Sequence, residues 1–186
     1  MKNITCGIVG DGNVGKTSFL ITLTTKKFSD HYIDGVYDTY TIGINYENIT
    51  INIKVTDILT GEEDYVRLRQ YQYSQYDIIL VCFSLVSPSS YESIKRKWIK
   101  EIRELEPNKT IVLIGMKSDL RDDFPKNSDY EMKPISTQEG QQLKLEINAS
   151  DYVECSSLRQ LNLNGVFESI AKVYLEPKSP IEKKSF

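Results

Sequence analysis

Eight residues near the N-terminus, Gly10-Asp11-Gly12-Asn13-Val14-Gly15-Lys16-Thr17, satisfy the spacing G-x-x-x-x-G-K-[ST]. Glycines at these positions let the backbone curl until successive N–H groups point inward, which suits the oxygens of a polyphosphate. A helix that opens directly after the loop adds the partial positive charge of its N-terminus. Lys16 is then placed to reach β- and γ-phosphates, and Thr17 offers a hydroxyl to Mg²⁺. The competing reading is a chance glycine-rich turn. Against it stands the context: an apolar run, Ile4 to Val9, precedes the loop, and a helix is predicted over Thr17 to Thr24.

A second pair of residues addresses the base. Met116-Lys117-Ser118-Asp119 follows the apolar run Thr110 to Gly115, so a lysine and an aspartate stand two apart at the mouth of a predicted strand. A carboxylate there can accept both N1–H and N2–H of guanine, whereas adenine presents no such pair of donors. Taken alone, K-x-D after a strand is more often a solvated loop edge. Cys155-Ser156-Ser157-Leu158 follows another short apolar run, and a backbone N–H there could meet guanine O6; in isolation this motif is equally bland.

The elements that must hold these residues alternate between two periods. Ile4 to Val9, Asp77 to Phe83, Thr110 to Gly115 and Asp151 to Cys155 are short, β-branched or aromatic runs, as expected of buried parallel strands. From Tyr40 to Asp57 every second residue is apolar across a Glu47-Asn48 turn, which predicts a hairpin and hence a mixed sheet. Ile94, Trp98, Ile102 and Leu105 recur at helical spacing after a Ser87-Pro88 start, so Trp98 is assigned to the core. Val166, Phe167, Ile170 and Val173 form the stripe of another helix that stops before Pro177. A third helix is predicted from about Thr137 to Ile147 with Thr137 as its cap, and Arg121 to Pro134 reads as a surface loop.

With 186 residues, 40% hydrophobic and 26% charged, the chain is expected to fold as one soluble domain around one core. A formal charge of -3 gives no polyanion-binding balance, so nucleic acid is excluded as an expected partner. Cys6, Cys82 and Cys155 lie in apolar runs without metal-ligand spacing and read as buried thiols in a reducing compartment. No segment approaches the roughly 18 apolar residues of a membrane span, and a cytoplasmic monomer is expected.

Across its length the chain resembles the Rho/Rac family of Ras-like small GTPases, from Lys2 to Glu176. The resemblance rests on the phosphate loop and on Tyr37-Asp38-Thr39-Tyr40, Glu63-Asp64-Tyr65-Val66-Arg67-Leu68-Arg69 and Leu80-Val81-Cys82-Phe83-Ser84. Ser87-Pro88-Ser89-Ser90, Asp119-Leu120-Arg121-Asp122-Asp123 and Tyr152-Val153-Glu154-Cys155-Ser156 extend it. It implies an α/β Ras-like fold over residues 1–176, a six-stranded mixed sheet flanked by helices on both faces, with 177–186 as a tail. It implies a GTP/GDP switch with Mg²⁺, held by Thr17 and, through water, by Asp57. Nucleotide contacts are implied for Gly12, Asn13, Val14, Gly15, Lys16, Thr17, Ser18, Phe28, Lys117, Asp119, Leu120, Ser156, Ser157 and Leu158, with Phe28 beside the base. Effectors are implied to read Tyr32 to Tyr40 and Gly61 to Tyr71, alongside exchange factors, activating proteins and dissociation inhibitors of Rho type. Arg121 to Pro134 corresponds to the helical insert of Rho proteins, and control of the actin cytoskeleton is the implied process.

Several positions depart from that pattern. Gly35 stands where the family places the threonine whose hydroxyl binds Mg²⁺, so the N–H is kept and the ligand lost. Asp57-Ile58-Leu59-Thr60-Gly61-Glu62 carries one residue more than the family's D-x-x-G and puts Glu62 where a water-positioning glutamine is usual. An anion beside the γ-phosphate is unfavourable for positioning and for charge, which weighs against Glu62 acting as a base. Met116 replaces the asparagine or threonine that usually hydrogen-bonds the base-reading loop to the phosphate loop. No cysteine follows Cys155, so no prenyl anchor is evident, though a trimmed chain would look the same and would leave membrane association open. Of the implied catalytic set, Lys16 and Gly61 are retained while Gly35 and Glu62 are degenerate. Three readings stay open: a slow GTP hydrolase, a GTP-bound module without turnover, and a chain that holds GDP or nothing.

Overall fold

The computed structural model describes residues 1–28, 39–58, 66–124 and 133–176. The sheet has six strands in the order β2-β3-β1-β4-β5-β6: β1 (Lys2–Gly10), β2 (Thr39–Tyr46), β3 (Ile49–Asp57), β4 (Ile78–Ser84), β5 (Thr110–Met116) and β6 (Asp151–Cys155). β1 runs parallel to both β3 and β4, β5 continues parallel to β4 and β6, and β2 alone is antiparallel, so the sheet is mixed as its sequence pattern requires. The β2–β3 turn is made by Glu47 and Asn48, both at positive φ (48° and 64°), the conformation that matches a tight hairpin to the strand twist. β4 is buried along its whole length, which is why it reads as a continuous apolar run instead of an alternation.

Helices cover both faces. On one side α1 (Lys16–Thr25) and α7 (Leu163–Leu175) pack Phe19, Leu20, Val166, Phe167 and Ile170 against Ile8, Leu80 and Val112. On the other, Trp98, Ile94 and Ile102 meet Val9, Val81 and Leu113, together with Leu143 of α6 (Thr137–Glu146). The sheet thus divides the interior into two apolar layers. Cys6, Cys82 and Cys155 are all buried, and burial pushes the Cys155 thiol up to about 12, so these thiols stay protonated.

The long helix expected after Ser87 is present but not uniform. α3 (Pro88–Ser93), a π-helical turn (Ile94–Ile99) and α4 (Lys100–Leu105) follow one another without a break, with Ser87 capping the start through Ser90 N–H at 3.3 Å and Pro88 in the first turn. Two expectations need correction. α6 is capped by Ser136, not Thr137: Ser136 accepts from Glu139 N–H while the Glu139 carboxylate accepts from Ser136 N–H, a reciprocal box that a threonine one residue later cannot close. Arg121 lies in a short helix, α5 (Ser118–Asp122), and not in a loop, while 125–132 lie outside the described residues. A further helix, α2 (Val66–Tyr73), is one that the sequence pattern does not predict, because its polar composition conceals it. Ser136→Ala is expected to cost about 1 kcal/mol, seen as a lower urea midpoint with unchanged nucleotide affinity. No described helix is long and apolar enough to cross a membrane.

Candidate functional site

The chemistry-bearing residues gather at the carboxyl ends of β1, β3, β5 and β6, the end of an open α/β sheet where ligands bind. The phosphate loop leaves β1 at Gly10, whose φ is +148°. A Cβ built there would come within 2.2 Å of Cys82 O on the neighbouring strand, so only glycine allows the chain to turn this close to β4. Gly15, at φ +113°, caps α1 with its backbone and delivers the helix N-terminus to the loop.

Lys16 is buried at 7% exposure and donates from Nζ to Gly10 O and Asp11 O, each at 2.8 Å. Burial lowers its pKa, an effect that Asp57 opposes. The ammonium is thus folded back across the loop, satisfied by carbonyls that phosphate oxygens can replace. Thr17 Oγ1 donates to Asp57 Oδ2 at 2.8 Å, although 40 residues separate them. A hydroxyl and a carboxylate oxygen at this distance form a hard donor pair of the kind that binds Mg²⁺ alongside waters and phosphate, so the residues present fit that ion. Ser18 follows in the first turn of α1, and Gly12 has open space around it.

At the base-reading end, Lys117 sits in the left-handed region (φ 63°) where β5 gives way to α5, and its Nζ donates to Asn13 O at 2.6 Å. Burial lowers its pKa. Asp119 is 3% exposed, and its Oδ1 accepts from Ser156 Oγ at 2.5 Å, while Ser156 Oγ in turn accepts from Arg159 N–H at 3.0 Å. One carboxylate oxygen is therefore fixed by the protein, which sets the direction of the other. The Ser156 N–H is spent on Leu161 O, leaving Ser157 N–H as a donor with no protein acceptor among the described residues. Phe28, Leu120 and Leu158 are partly exposed apolar side chains, at 37%, 45% and 53%, available to a flat aromatic ligand. Gln160 Nε2 donates to Lys26 O at 3.3 Å and ties this turn to the end of α1.

Met116 changes the expectation attached to it. It is 2% exposed, and its sulfur lies 3.5 Å from where a Gly15 side chain would begin, so it packs apolar surface beneath the phosphate loop. The two loops are then joined by this contact and by the Lys117 bond to Asn13, in place of a bond from residue 116. Gly35, Gly61 and Glu62, the candidates for assisting hydrolysis, lie outside the described residues, as does most of Tyr32 to Tyr40. Sequence reasoning missed the side chain of Ser156, and it missed Asp11, whose Oδ1 accepts from Trp98 Nε1–H at 2.8 Å. A buried indole N–H needs an acceptor, and that need was the available signal.

Compared with known protein families, the chain matches the Ras family over residues 6–176.

Proposed function

The chain belongs to the Ras family of small GTP-binding switches, and we propose that it is a Rho-like member that holds GTP with Mg²⁺ and hydrolyses it very slowly. What carries the reading is the contrast within one site. Gly10 to Thr17, Lys117, Asp119 and Asp57 converge with their polar atoms suitably directed, while the sequence supplies Gly35 and Glu62 where hydrolysis needs a hydroxyl and an amide. Backbone N–H groups and Lys16 receive the phosphates, and Asp119 with Ser157 N–H reads the base. Thr17 and, through water, Asp57 would hold magnesium, which would supply neutralisation of phosphate charge. Glycine at 35 would keep an N–H for the γ-phosphate but cost more entropy to order, and a carboxylate at 62 would oppose the charge of the γ-phosphate. Binding is thereby separated from turnover.

Partners of such a switch would read the two segments from Tyr32 to Tyr40 and from Gly61 to Tyr71. Leu68 and Tyr71 of α2, at 46% and 69% exposure, offer apolar surface for that purpose. The test is to purify the protein, identify its bound nucleotide, and follow single-turnover GTP hydrolysis with Mg²⁺. Bound GTP is expected, with a rate constant that rises at least about tenfold in the Gly35→Thr, Glu62→Gln double variant. Turnover at the double variant's rate in the unaltered chain would refute slow hydrolysis, and bound GDP that GTP cannot displace would favour a GDP-held module.

A further inference from the structure

Trp98 is fully buried, yet its one polar atom does not point into the apolar layer. Its Nε1–H donates to Asp11 Oδ1 at 2.8 Å, reaching across 87 residues of sequence to the second residue of the phosphate loop. The carbonyl of that same Asp11 accepts from Lys16 Nζ, so one residue connects the indole to the ammonium that faces the phosphates. Two cations pack against Trp98 itself. The Arg69 guanidinium of α2, 1% exposed, lies 5.4 Å from the indole centroid, and Lys97 stands over the same ring at 4.5 Å. Arg69 is fixed in turn by a two-pronged ion pair to Glu101 of α4, at 2.7 and 2.8 Å, and Tyr73 OH donates to the same carboxylate at 2.6 Å. The helix carries Trp98 on its π-helical turn, a costlier geometry than the α segments on either side and one that recurs at functional sites.

We infer that Trp98 is a positioning residue for the phosphate loop, acting through Asp11, and that Arg69 and Glu101 extend this support into α2. The inference rests on the phosphate-loop reading above. The hydrogen bond fixes the direction of the Asp11 peptide, and with it the carbonyl to which Lys16 is anchored. Losing it leaves the loop's N–H groups less well aimed at phosphate, at an entropic cost paid on each binding event. Because Arg69 packs on the same indole, movement of α2 is felt at the loop through a continuous set of contacts and not through solvent.

Three full-length variants test this: Asp11→Ala removes the acceptor, Asp11→Asn keeps an oxygen acceptor without the charge, and Trp98→Phe removes the donor but keeps an aromatic ring. Two quantities are measured: the dissociation rate of a fluorescent GDP analogue with Mg²⁺, and amide hydrogen exchange of residues 10–17 in nucleotide-free protein, compared with β5 in the same sample. Asp11→Ala and Trp98→Phe are expected to speed dissociation about tenfold and to accelerate exchange of the loop but not of β5. Asp11→Asn should return both quantities to within about threefold of the unaltered chain. Unchanged loop exchange in Asp11→Ala overturns the inference, as does Asp11→Asn failing as badly as Asp11→Ala. Exchange that rises evenly through loop and β5 in Trp98→Phe, with Asp11→Ala silent, overturns it too, since the indole would then matter only as filling. An unaltered chain that binds no guanine nucleotide refutes the phosphate-loop reading instead, and loop exchange in the nucleotide-free protein then decides the inference by itself.

Discussion

Lys16→Met is expected to weaken guanine-nucleotide binding by roughly a thousandfold, on the order of 4 kcal/mol, without loss of folded stability. In the function proposed above, the ammonium would make charge-assisted contacts with two phosphates, and methionine can replace none of them. In the free protein the balance differs. Lys16 is buried, and burial already lowers its pKa, so its charge is tolerated through the carbonyls of Gly10 and Asp11 and the nearby Asp57 carboxylate. A methionine of similar length removes that charge and fills the same space. The pH dependence should separate the two proteins. Because the folded pKa lies below the unfolded one, the unfolded chain binds more protons in the interval between them, and stability rises with pH through that interval. Lys16→Met lacks this contribution. Urea midpoints across alkaline pH, together with calorimetric GDP affinity, measure both effects; a variant that bound GDP normally would show that the lysine never meets the phosphates.

Asp119→Asn should cost guanine affinity a similar factor, roughly a thousandfold, with the fold preserved. Asparagine keeps an oxygen for the Ser156 hydroxyl, so the buried contact at 2.5 Å survives. Its other end becomes an amino group, which faces the N1–H and N2–H donors of guanine with a third donor and leaves all of them unpaired. A base with a carbonyl at position 2 turns one of these conflicts into a hydrogen bond and should recover part of the loss. Competition binding with GDP, the xanthine analogue and ADP reads this directly. ADP binding that matched GDP in the unaltered chain would remove Asp119 from the role of base reader.

Much of this site was legible because its chemistry demands particular residue types at short spacing. A loop that turns against Cys82 O must begin with glycine, a polyphosphate needs a cation beside it, and both requirements fall within Gly10 to Thr17. The strands were legible for a related reason: burial on both faces forces unbroken apolar runs, of which β4 is the fullest case. α2 was not, because two of its buried anchors, Arg69 and Tyr73, are fixed by contacts with Glu101 that carry no apolar period. The cap of α6 was misplaced by one residue because serine and threonine both serve at that position, and it is the reciprocal bonds between Ser136 and Glu139 that separate them.

Amino-acid order alone therefore determined the ligand class, the strands and the residues proposed for phosphate and base, since local spacing and side-chain chemistry suffice for each. Tertiary structure decided how those residues are aimed. Asp119 takes its orientation from Ser156, Thr17 meets Asp57, Met116 packs beneath Gly15, and Trp98 reaches Asp11, all across distances in the chain that no local pattern encodes. The physical reason is that hydrogen-bond direction and close packing depend on where strands and helices bring their ends together, whereas periodicity records only which face of an element is buried.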